Sequence, residues 1–499
     1  MNTPMLLEMA AEGAGDRVGV GPRHGGLTYG ELLAYARRLA AVVGETGAER
    51  VGHIGLNSEA LPVLLFGSAL AGLPFVPVNY RLPDEQLRAV LGRLAPGVVV
   101  ADADMSARVG EVEGLSVIDR EEFLDRVRTA IDPPETAFAD PDDVAVLLFT
   151  SGTTGDPKAA VLRHRHLASY IIGTVDCLGA GEDEAQLVSV PPYHIAAISA
   201  VLSSVYSGRR IVYLPAFDAD QWVVLARDEE ITQAMVVPTM LGRILDEIER
   251  HGTELPALRH LAYGGGRMPL PVIERAMKLL PHVDFVNAYG LTETSSTIAV
   301  LGPVDHRAAF ASDDPRVRAR LASVGRPLPS LELEIRDSDG GVLPAGERGE
   351  IYVRGEQIAG EYLGRSLLTG DGWFPTNDGG YLDDDGYLFL EGRLDDVIVR
   401  GGENISPGEI EDVLLSHPAV DAAAVFGTPH REWGECVAAA VVPTAGATAD
   451  EDELKAWVRA RLRSTKTPDR IYFLDELPFS ETGKLLRRVL KAELGQSMP

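Results

Sequence analysis

The stretch from Val144 to His164, VAVLLFTSGTTGDPKAAVLRH, decides the fold. It opens with the apolar run Val144–Phe149, which has the length and composition of a strand buried on both faces. Similar runs occur at Phe75–Val78 and Gly97–Ala101, with helix-length segments between them. Buried strands that alternate with helices predict a layered α/β architecture, in which helices cover both faces of a sheet.

Two segments nearer the N-terminus fit this pattern. Thr28 and Glu31 have the spacing of a capping box, and apolar residues then recur on one helical face at Leu32, Ala36, Leu39 and Val43. The uncharged stretch from Ala60 to Tyr80 has the length of a membrane span, but prolines and glycines interrupt it. We therefore expect a buried helix followed by a short buried strand, and no membrane span.

The length of 499 residues predicts more than one domain, because single cores stop growing at roughly 250–300 residues. Around residues 321–390 the strand-like runs are punctuated by Gly, Pro and Asp, which is typical of antiparallel sheet. Beyond the polar segment 392–404, GRLDDVIVRGGEN, about a hundred residues carry their own α/β pattern. The expected division is a large domain 1–391, a hinge 392–396 and a small domain 397–499.

Composition narrows the class of partner. The net charge is −28, with 46 basic and 74 acidic residues, which disfavours nucleic acid and anionic membrane as partners. The two cysteines, Cys177 and Cys436, are too few for a disulfide framework and indicate a reducing compartment. The N-terminus lacks the basic start of a signal peptide. These features predict a cytoplasmic protein, whose oligomeric state is left open, with a homodimer as one option.

The end of the Val144–Phe149 strand delivers a loop rich in hydroxyl groups and glycine. Its backbone N–H groups and hydroxyls are suited to phosphate oxygens, and Lys158 adds positive charge. The spacing is not that of a Walker A loop, and no G-x-G-x-x-G follows a strand. Taken alone, this loop also fits an ordinary surface turn.

The rest of the chain gives this loop its context. TSGTTGDPK resembles the phosphate-loop signature of adenylate-forming enzymes, the superfamily of acyl- and aryl-CoA synthetases, peptide-synthetase adenylation domains and firefly luciferase. Further segments are similar to the other motifs of the family and occur in its order: LTYGELLAYARRLA, AGLPFVPVNYRLP, PPYH, YGGGRMP, NAYGLTET, SVGRP, GEIYVRG, GWFPTNDGGYLDDDGY, GRLDDVIVRGGENISP and PFSETGKLLRR.

The resemblance implies a fold and an activity. The expected fold is a large multi-layered N-terminal domain, built from two α/β sheet subdomains and a distorted antiparallel β subdomain, followed by a small mobile α+β domain. The expected activity is an ATP- and Mg²⁺-dependent conversion of a carboxylic acid to an acyl-adenylate, with release of pyrophosphate. Transfer of the acyl group to coenzyme A follows.

The resemblance also implies roles for individual residues. The catalytic residues are Lys484, Thr292, Glu293 and His194, with Glu293 as the Mg²⁺ ligand. The nucleotide-binding residues are Thr150, Ser151, Gly152, Thr153, Thr154, Gly155, Lys158, Gly264, Gly265, Gly266, Asn287, Tyr289, Gly290, Asp378 and Arg393. The acyl pocket comprises His194, Ala196, Ala197, Val237, Gly264, Thr294 and Ser295. Gly401 and Gly402 line the approach of the CoA thiol, and Asp395 is the hinge residue.

These roles make chemical sense. An aromatic face at Tyr289 suits a purine, and the Asp378 carboxylate can accept from both ribose hydroxyls. Attack of a carboxylate on the α-phosphorus brings two anions together, so a lysine such as Lys484 can stabilise the charge that develops. Mg²⁺ prefers oxygen ligands and commonly bridges one carboxylate, here Glu293, to phosphates.

Three positions depart from the usual family pattern: Ala159 and Asn377 where glycine is common, and Arg267 where proline is common. None removes a chemical group from the mechanism, and Arg267 bears on the fit of nucleotide or acid. The small and apolar pocket residues favour a hydrophobic acid. A carrier protein is the alternative acceptor to CoA, and a non-catalytic nucleotide-binding relative or a luciferase-like oxidation are further alternatives.

Overall fold

The computed structural model describes residues 1–131, 133, 139–150, 158–444, 446–479 and 485–495. The strands of the first half are β1 (Val18–Val20), β2 (Leu27–Thr28), β3 (Arg50–Ile54), β4 (Phe75–Pro77), β5 (Gly97–Ala101), β6 (Leu115–Asp119), β7 (Val144–Thr150), β8 (Lys158–Arg163), β9 (Ala185–Val188), β10 (Arg210–Tyr213), β11 (Gln233–Val236), β12 (His260–Gly264) and β13 (Asp284–Leu291). The later strands are β14 (Ser296–Leu301), β15 (Arg326–Pro327), β16 (Glu332–Arg336), β17 (Gly349–Arg354), β18 (Glu361–Tyr362), β19 (Arg365–Ser366), β20 (Phe374–Leu382), β21 (Leu388–Arg393), β22 (Ile398–Arg400), β23 (Glu403–Ile405), β24 (Val420–His430), β25 (Gly434–Pro443) and β26 (Arg470–Phe473).

The helices alternate with these strands. They are α1 (Thr3–Ala14), α2 (Tyr29–Gly44), α3 (Ala60–Leu70), α4 (Asp84–Gly92), α5 (Ala103–Val109), α6 (Arg120–Thr129), α7 (His164–Thr174), α8 (Ile195–Ser207), α9 (Ala219–Asp228), α10 (Pro238–His251), α11 (Leu270–Leu279), α12 (Pro303–Ala311), α13 (Pro315–Ala319), α14 (Pro407–Leu415), α15 (Glu451–Arg459) and α16 (Arg487–Leu494). Short 3₁₀ turns occupy Thr292–Thr294, Arg320–Ala322, Leu394–Asp396 and Ser464–Lys466.

Two large sheets form the layers of the N-terminal domain. The first has the order β15-β14-β13-β12-β11-β9-β10-β1-β2, and its strands are parallel from β13 to β1. The second has the order β19-β18-β8-β7-β4-β3-β5-β6, and its strands are parallel from β7 to β6. Strand β8 runs antiparallel to its neighbour β7.

Helices packed between the two sheets form the main core. Leu32 of α2, Phe66 of α3 and Val201 of α8 lie in one apolar cluster with Val98 of the second sheet and Ile211 of the first. Separate clusters cover the outer face of each sheet. The layered α/β prediction is therefore confirmed: both sheets are buried on two sides.

The sequence-predicted elements at the N-terminus are also present. The Thr28 backbone N–H donates to Glu31 at 2.8 Å, and the Glu31 N–H donates to the Thr28 hydroxyl at 3.2 Å, so α2 begins with the expected capping box. Helix α3 is buried along its whole length and is followed by β4, as predicted for the uncharged stretch. Among the described helices, none combines the length and apolar character needed to cross a bilayer.

Two smaller sheets complete the molecule. Strands β16, β17, β20 and β21 form the expected antiparallel sheet, which is distorted by register shifts in β17 and β20. The small C-terminal domain has the sheet order β23-β22-β25-β24, with β26 beside β25, and its own apolar core. The predicted hinge 392–396 begins as the end of β21 and continues as the Leu394–Asp396 turn.

Candidate active site

Four adjacent parallel strands deliver the predicted pocket residues to one edge of the first sheet. Strands β9, β11, β12 and β13 are neighbours, so their carboxyl ends meet at the same edge. The residues that follow these ends are His194 after β9, Val237 after β11, Gly265 and Gly266 after β12, and Thr292 to Ser295 after β13. The structure thus brings the predicted adenine, magnesium and acyl motifs together.

The two residues that flank the predicted phosphate loop pair with each other on neighbouring strands of the second sheet. Thr150 pairs with Lys158 in the β7–β8 ladder, and the Thr150 hydroxyl donates to the Lys158 carbonyl oxygen at 3.4 Å. The intervening residues with a predicted role, Ser151, Gly152, Thr153, Thr154 and Gly155, lie outside the described residues. The Lys158 ammonium lies 5.8 Å from the ring centre of Tyr362, within cation–π range.

Tyr362 links this loop to the predicted magnesium ligand, a role that the sequence did not reveal. Its hydroxyl donates to the Glu293 carboxylate, 69 positions away in the chain. Its backbone pairs with Ala160 of β8, so the ring stands beside Lys158. Burial, followed by the charge of Glu293, raises the pKa of Tyr362, so the phenol stays protonated as a donor. A tyrosine in a two-residue strand carries no local signal of such a contact.

The turn that carries Glu293 is held by backbone contacts from the antiparallel region. The Gly360 N–H donates to the Glu293 carbonyl at 2.9 Å, and the Gln357 amide donates to the Thr294 and Thr297 carbonyls at 3.2 and 2.8 Å. These bonds fix the backbone of the turn from which the Glu293 side chain projects. Thr292, the predicted phosphate-contacting hydroxyl, begins the same turn.

Strain is concentrated where this turn returns to β14. Ser295 and Ser296 both have positive φ, 57° and 115°, which non-glycine residues seldom adopt. The Ser295 hydroxyl is buried and has no hydrogen-bond partner among the described residues. Strained residues and unpaired buried polar groups concentrate at ligand sites, so Ser295 suits the wall of a pocket that takes a polar group.

The predicted ribose site is a connected group of three side chains. The Tyr289 hydroxyl donates to Asp378 Oδ2 at 2.6 Å, and Arg393 Nε lies 3.1 Å from Asp378 Oδ1. Arg393 also donates to the Thr376 carbonyl at 2.9 Å, which fixes its guanidinium. Burial, followed by the Asp378 charge, raises the pKa of Tyr289. Asp378 is thus oriented by a neutral donor on one oxygen and by a cation on the other.

The predicted adenine contacts lie on the paired ends of β12 and β13. Gly264 pairs with Ala288, and a Cβ at Gly264 would lie 2.3 Å from the Ala288 carbonyl oxygen, so only glycine fits. Gly265 has φ of +77°. Asn287 is buried and donates its side-chain N–H to the Ser323 carbonyl at 3.0 Å. This bond orients the amide beside Tyr289.

His194 is the N-cap of α8, at the edge of the predicted acyl pocket. Its Nδ1 accepts from the Ala196 N–H at 3.3 Å, so Nδ1 is unprotonated and Nε2 carries the proton of the neutral ring. Burial lowers the pKa of His194 to about 4. The imidazole is therefore neutral at pH 7. Ala196 and Ala197 in the first turn of α8 are buried, as are Val237 and Thr294.

The residues predicted for the hinge and the thiol approach lie in or beside the small domain. The Asn377 side chain donates to Asp395 at 3.0 Å. Asn377 itself has φ of +58°, a conformation that glycine and asparagine tolerate best. Gly401 and Gly402 form an exposed turn between β22 and β23, with φ of +58° and +85°. Lys484 lies outside the described residues.

Glu293 fits the magnesium role on its surroundings. It is partly exposed, and its carboxylate contacts the neutral Tyr362 hydroxyl, with no ion pair to a described residue. Tyr362 occupies one carboxylate oxygen as a neutral donor, which leaves acceptor sites on both oxygens. A single oriented carboxylate is a donor that Mg²⁺ commonly uses together with nucleotide phosphates.

Comparison with known proteins agrees with this geometry. Residues 7–363 match the model of the AMP-binding enzyme family, and residues 409–484 match its C-terminal domain. A feruloyl-CoA synthase from Amycolatopsis sp. is 33% identical over 95% of each chain, and the fatty acid–[acyl-carrier-protein] ligase ScoC of Streptomyces coeruleorubidus is 33% identical over 93% of this chain and 91% of its own.

A solved structure extends the match to the bound nucleotide. The O-succinylbenzoate coenzyme A synthetase MenE of Bacillus subtilis, in complex with ATP and magnesium ion, superposes with a TM-score of 0.84 at 29% identity and covers 97% of this chain and 99% of its own. Both domains of the chain therefore have counterparts in one solved enzyme. The chain belongs to the AMP-binding enzyme family.

Proposed function

We propose that the chain is an AMP-forming acyl-CoA synthetase, which uses ATP and Mg²⁺ to activate a carboxylic acid and transfers the acyl group to coenzyme A. The observation that carries the proposal is that side-chain contacts join groups from three different sheets: Tyr362 connects Glu293 with Lys158 beside the predicted phosphate loop, and Tyr289 connects the end of β13 with Asp378 and Arg393. Family membership across both domains supports it.

The first half-reaction forms the acyl-adenylate. A carboxylate oxygen of the acid attacks the α-phosphorus of ATP, a new P–O bond forms, and the bond to the pyrophosphate leaving group breaks. Asp378 and Arg393 hold the ribose, Tyr289 supports the purine, and Lys158 and Thr292 contact phosphate oxygens. Glu293 would hold Mg²⁺, which would supply positive charge to the phosphates. Lys484 stabilises the charge between the carboxylate and the α-phosphate.

The second half-reaction forms the thioester. The sulfur of CoA attacks the acyl carbon, the C–S bond forms, and AMP leaves with the electrons of the C–O bond. The two reactions need different groups at one site, so the small domain, 397–499, rotates about the hinge at 392–396 and Asp395. Gly401 and Gly402 then line the approach of the thiol, where any side chain would narrow the passage.

The acceptor has one alternative. The ScoC relative is named as an acyl-carrier-protein ligase, whereas most of the similar curated proteins are named as CoA ligases. A carrier protein presents the same phosphopantetheine thiol as CoA. A stand-alone enzyme that loads an acyl carrier protein is therefore the second candidate function.

The pocket favours a hydrophobic acid. Ala196, Ala197 and Val237 are apolar and buried. His194 is neutral and adds no charge. An aryl, alicyclic or medium-chain acid suits such walls, with the unpaired Ser295 hydroxyl available for one polar substituent or for the carboxyl group.

We also propose a cytoplasmic location, because both cysteines are free thiols. The oligomeric state, including a homodimer, stays a prediction that size-exclusion chromatography with light scattering would check.

A pyrophosphate-release screen tests the proposed function. Purified enzyme with ATP and Mg²⁺ is offered a panel of hydrophobic acids, first alone, then with CoA, then with a phosphopantetheinylated carrier protein. Acid-dependent pyrophosphate release with thioester formation on CoA is the expected result. Thioester formation on the carrier protein alone would favour the second function, and no pyrophosphate release with any acid would contradict both.

A further inference from the structure

One ion pair joins the adenine-binding segment to the small domain. Arg267 follows directly on Gly266, and its guanidinium donates to the Asp412 carboxylate on α14. The two residues are 145 positions apart, and the predicted hinge lies between them. The proposed mechanism does not use Arg267 in any step.

The surface of α14 is shaped to receive this arginine. A Cβ at Gly408 would lie 1.8 Å from Arg267 Nη1, so the absence of a side chain at Gly408 makes room for the guanidinium. On the same side of α14, the Ser406 hydroxyl donates to the Glu391 carbonyl of β21 at 2.8 Å. The Arg267 side chain therefore packs against Gly408 on α14 and forms its ion pair with Asp412 there.

The contact belongs to one arrangement of the domains. The Gly401–Gly402 turn is exposed here, and a Cβ at Gly402 would meet no described atom within 4 Å, while one at Gly401 would meet only Trp433 of the same domain. The turn thus stands away from the large domain, and thioester formation requires it at the active site. A rotation about 392–396 that brings it there carries Asp412 away from Arg267.

We infer that Arg267 is a positioning residue that latches the small domain, through Asp412 and the space at Gly408, in the arrangement that precedes thioester formation. The inference rests on the proposed function, because it assigns the latch to one of its two half-reactions. Since Arg267 adjoins the adenine-binding glycines, the latch also connects nucleotide binding to the position of the small domain.

The test measures the rates of adenylation and of thioester formation separately. The ratio of these two rates is then compared between variants. Adenylation is followed by pyrophosphate release without CoA, and thioester formation is followed from supplied acyl-AMP and CoA. Loss of an exposed ion pair corresponds to roughly a 2- to 5-fold change. We expect Arg267→Ala and Asp412→Asn each to shift the ratio by about this factor towards thioester formation, with Asp421→Asn, exposed on the same domain, as the matched control.

Two further variants separate the latch from direct effects on ATP. Gly408→Ala displaces the guanidinium without changing any charge, and we expect it to match Asp412→Asn. The double variant Arg267→Asp/Asp412→Arg reverses the pair, and we expect its ratio to return towards wild type. Added salt screens partly exposed charges, so it should shift the wild-type ratio and leave that of Asp412→Asn unchanged.

The possible failures are distinguishable. If wild-type enzyme releases no pyrophosphate with any acid, the proposed function fails. If the wild type is active but Asp412→Asn and Gly408→Ala keep its ratio, or the reversed pair behaves like the single variants, the latch is contradicted. The melting temperatures of all variants are measured beside the ratios. If one of the three single variants Arg267→Ala, Asp412→Asn and Gly408→Ala has lost its fold, the comparison uses the other two.

Discussion

Two tyrosines orient the two carboxylates on which the proposed site depends. Tyr289 donates to Asp378, and Tyr362 donates to Glu293. In both pairs, burial and then the neighbouring anion raise the pKa of the phenol, which therefore stays a donor at pH 7. At Glu293 the neutral donor fixes the carboxylate without cancelling its charge, which remains available to a cation, whereas Asp378 also pairs with Arg393.

Removing the carboxylate of Asp378 should weaken ATP binding without altering acid preference. Hydrogen bonds to a charged group contribute about 1.5–3 kcal/mol, so Asp378→Ala should raise the KM for ATP by about 10- to 100-fold. Steady-state pyrophosphate release over a range of ATP concentrations measures this, with Asp384→Ala on the exposed neighbouring turn as the control. A changed acid profile at saturating ATP would remove the ribose assignment.

Removing only the hydroxyl of Tyr362 should weaken the binding of magnesium at the site. Tyr362→Phe leaves the ring beside Lys158 but frees the Glu293 carboxylate, and we expect the Mg²⁺ concentration for half-maximal rate to rise about 10-fold. A magnesium titration at fixed ATP measures the effect. Tyr472→Phe, which loses a hydroxyl bond to Leu494 in the small domain, should behave as wild type. An unchanged magnesium requirement in Tyr362→Phe would contradict the assigned link.

At the scale of elements, the β13–β14 hairpin carries much of the site. It presents Tyr289 on one strand, and its connecting turn presents Thr292 and Glu293. The strands come so close that a Cβ at Gly290 would lie 1.9 Å from the Ser296 carbonyl oxygen. The hairpin therefore keeps its shape only with glycine at this position.

Gly290→Ala should disturb the hairpin and abolish activity together. The backbone oxygen cannot move aside without breaking the register of β14, so we expect the unfolding free energy to fall by about 2 kcal/mol or more. Thermal unfolding and pyrophosphate release measure the two effects. At Gly302, at the far end of the same hairpin, an added Cβ would meet nothing within 4 Å. Gly302→Ala should therefore change neither the unfolding free energy nor the activity appreciably. Equal behaviour of the two variants would refute the steric argument.

At the scale of the whole molecule, the proposed division of labour between domains predicts unequal effects on the two half-reactions. Lys484→Ala should lower adenylate formation by about 10²- to 10³-fold, as for loss of one preorganised donor, and should largely spare thioester formation from supplied acyl-AMP. Rapid-quench assays of each half-reaction measure this, with Lys491→Ala of α16 as the control. Equal loss of both half-reactions would overturn the two-arrangement mechanism.

Local chemistry in the sequence was enough to predict the layers of the fold. A helix start is specified by the capping box of Thr28 and Glu31, and a central strand by the buried run Val144–Phe149. Both signals arise from interactions between residues close together in the sequence. The motifs also placed Asp378 and Arg393 in one group, which the geometry of β20 and β21 brings together. The roles of these residues remain predictions.

Contacts between distant segments were beyond the reach of the sequence. Tyr362 reaches Glu293 because β18 leaves the antiparallel region and pairs with β8, and periodicity cannot reveal which sheet a two-residue strand joins. Arg267 was expected to bear on nucleotide or acid fit, yet its guanidinium contacts the small domain. Asn377 takes a left-handed conformation and binds Asp395, so its side chain adds a hinge contact that glycine would lack.

The pairing of β18 with β8 also limits where the chain can be truncated. A fragment that ended near residue 320 would contain both parallel sheets and look complete, but the open side of β8 would lose its partner strand and the Arg163–Glu361 ion pair at 2.8 Å. Unpaired strand edges recruit other chains and promote aggregation. Split reporters and module exchanges built on this scaffold therefore require a boundary beyond β21, so that the edge stays covered.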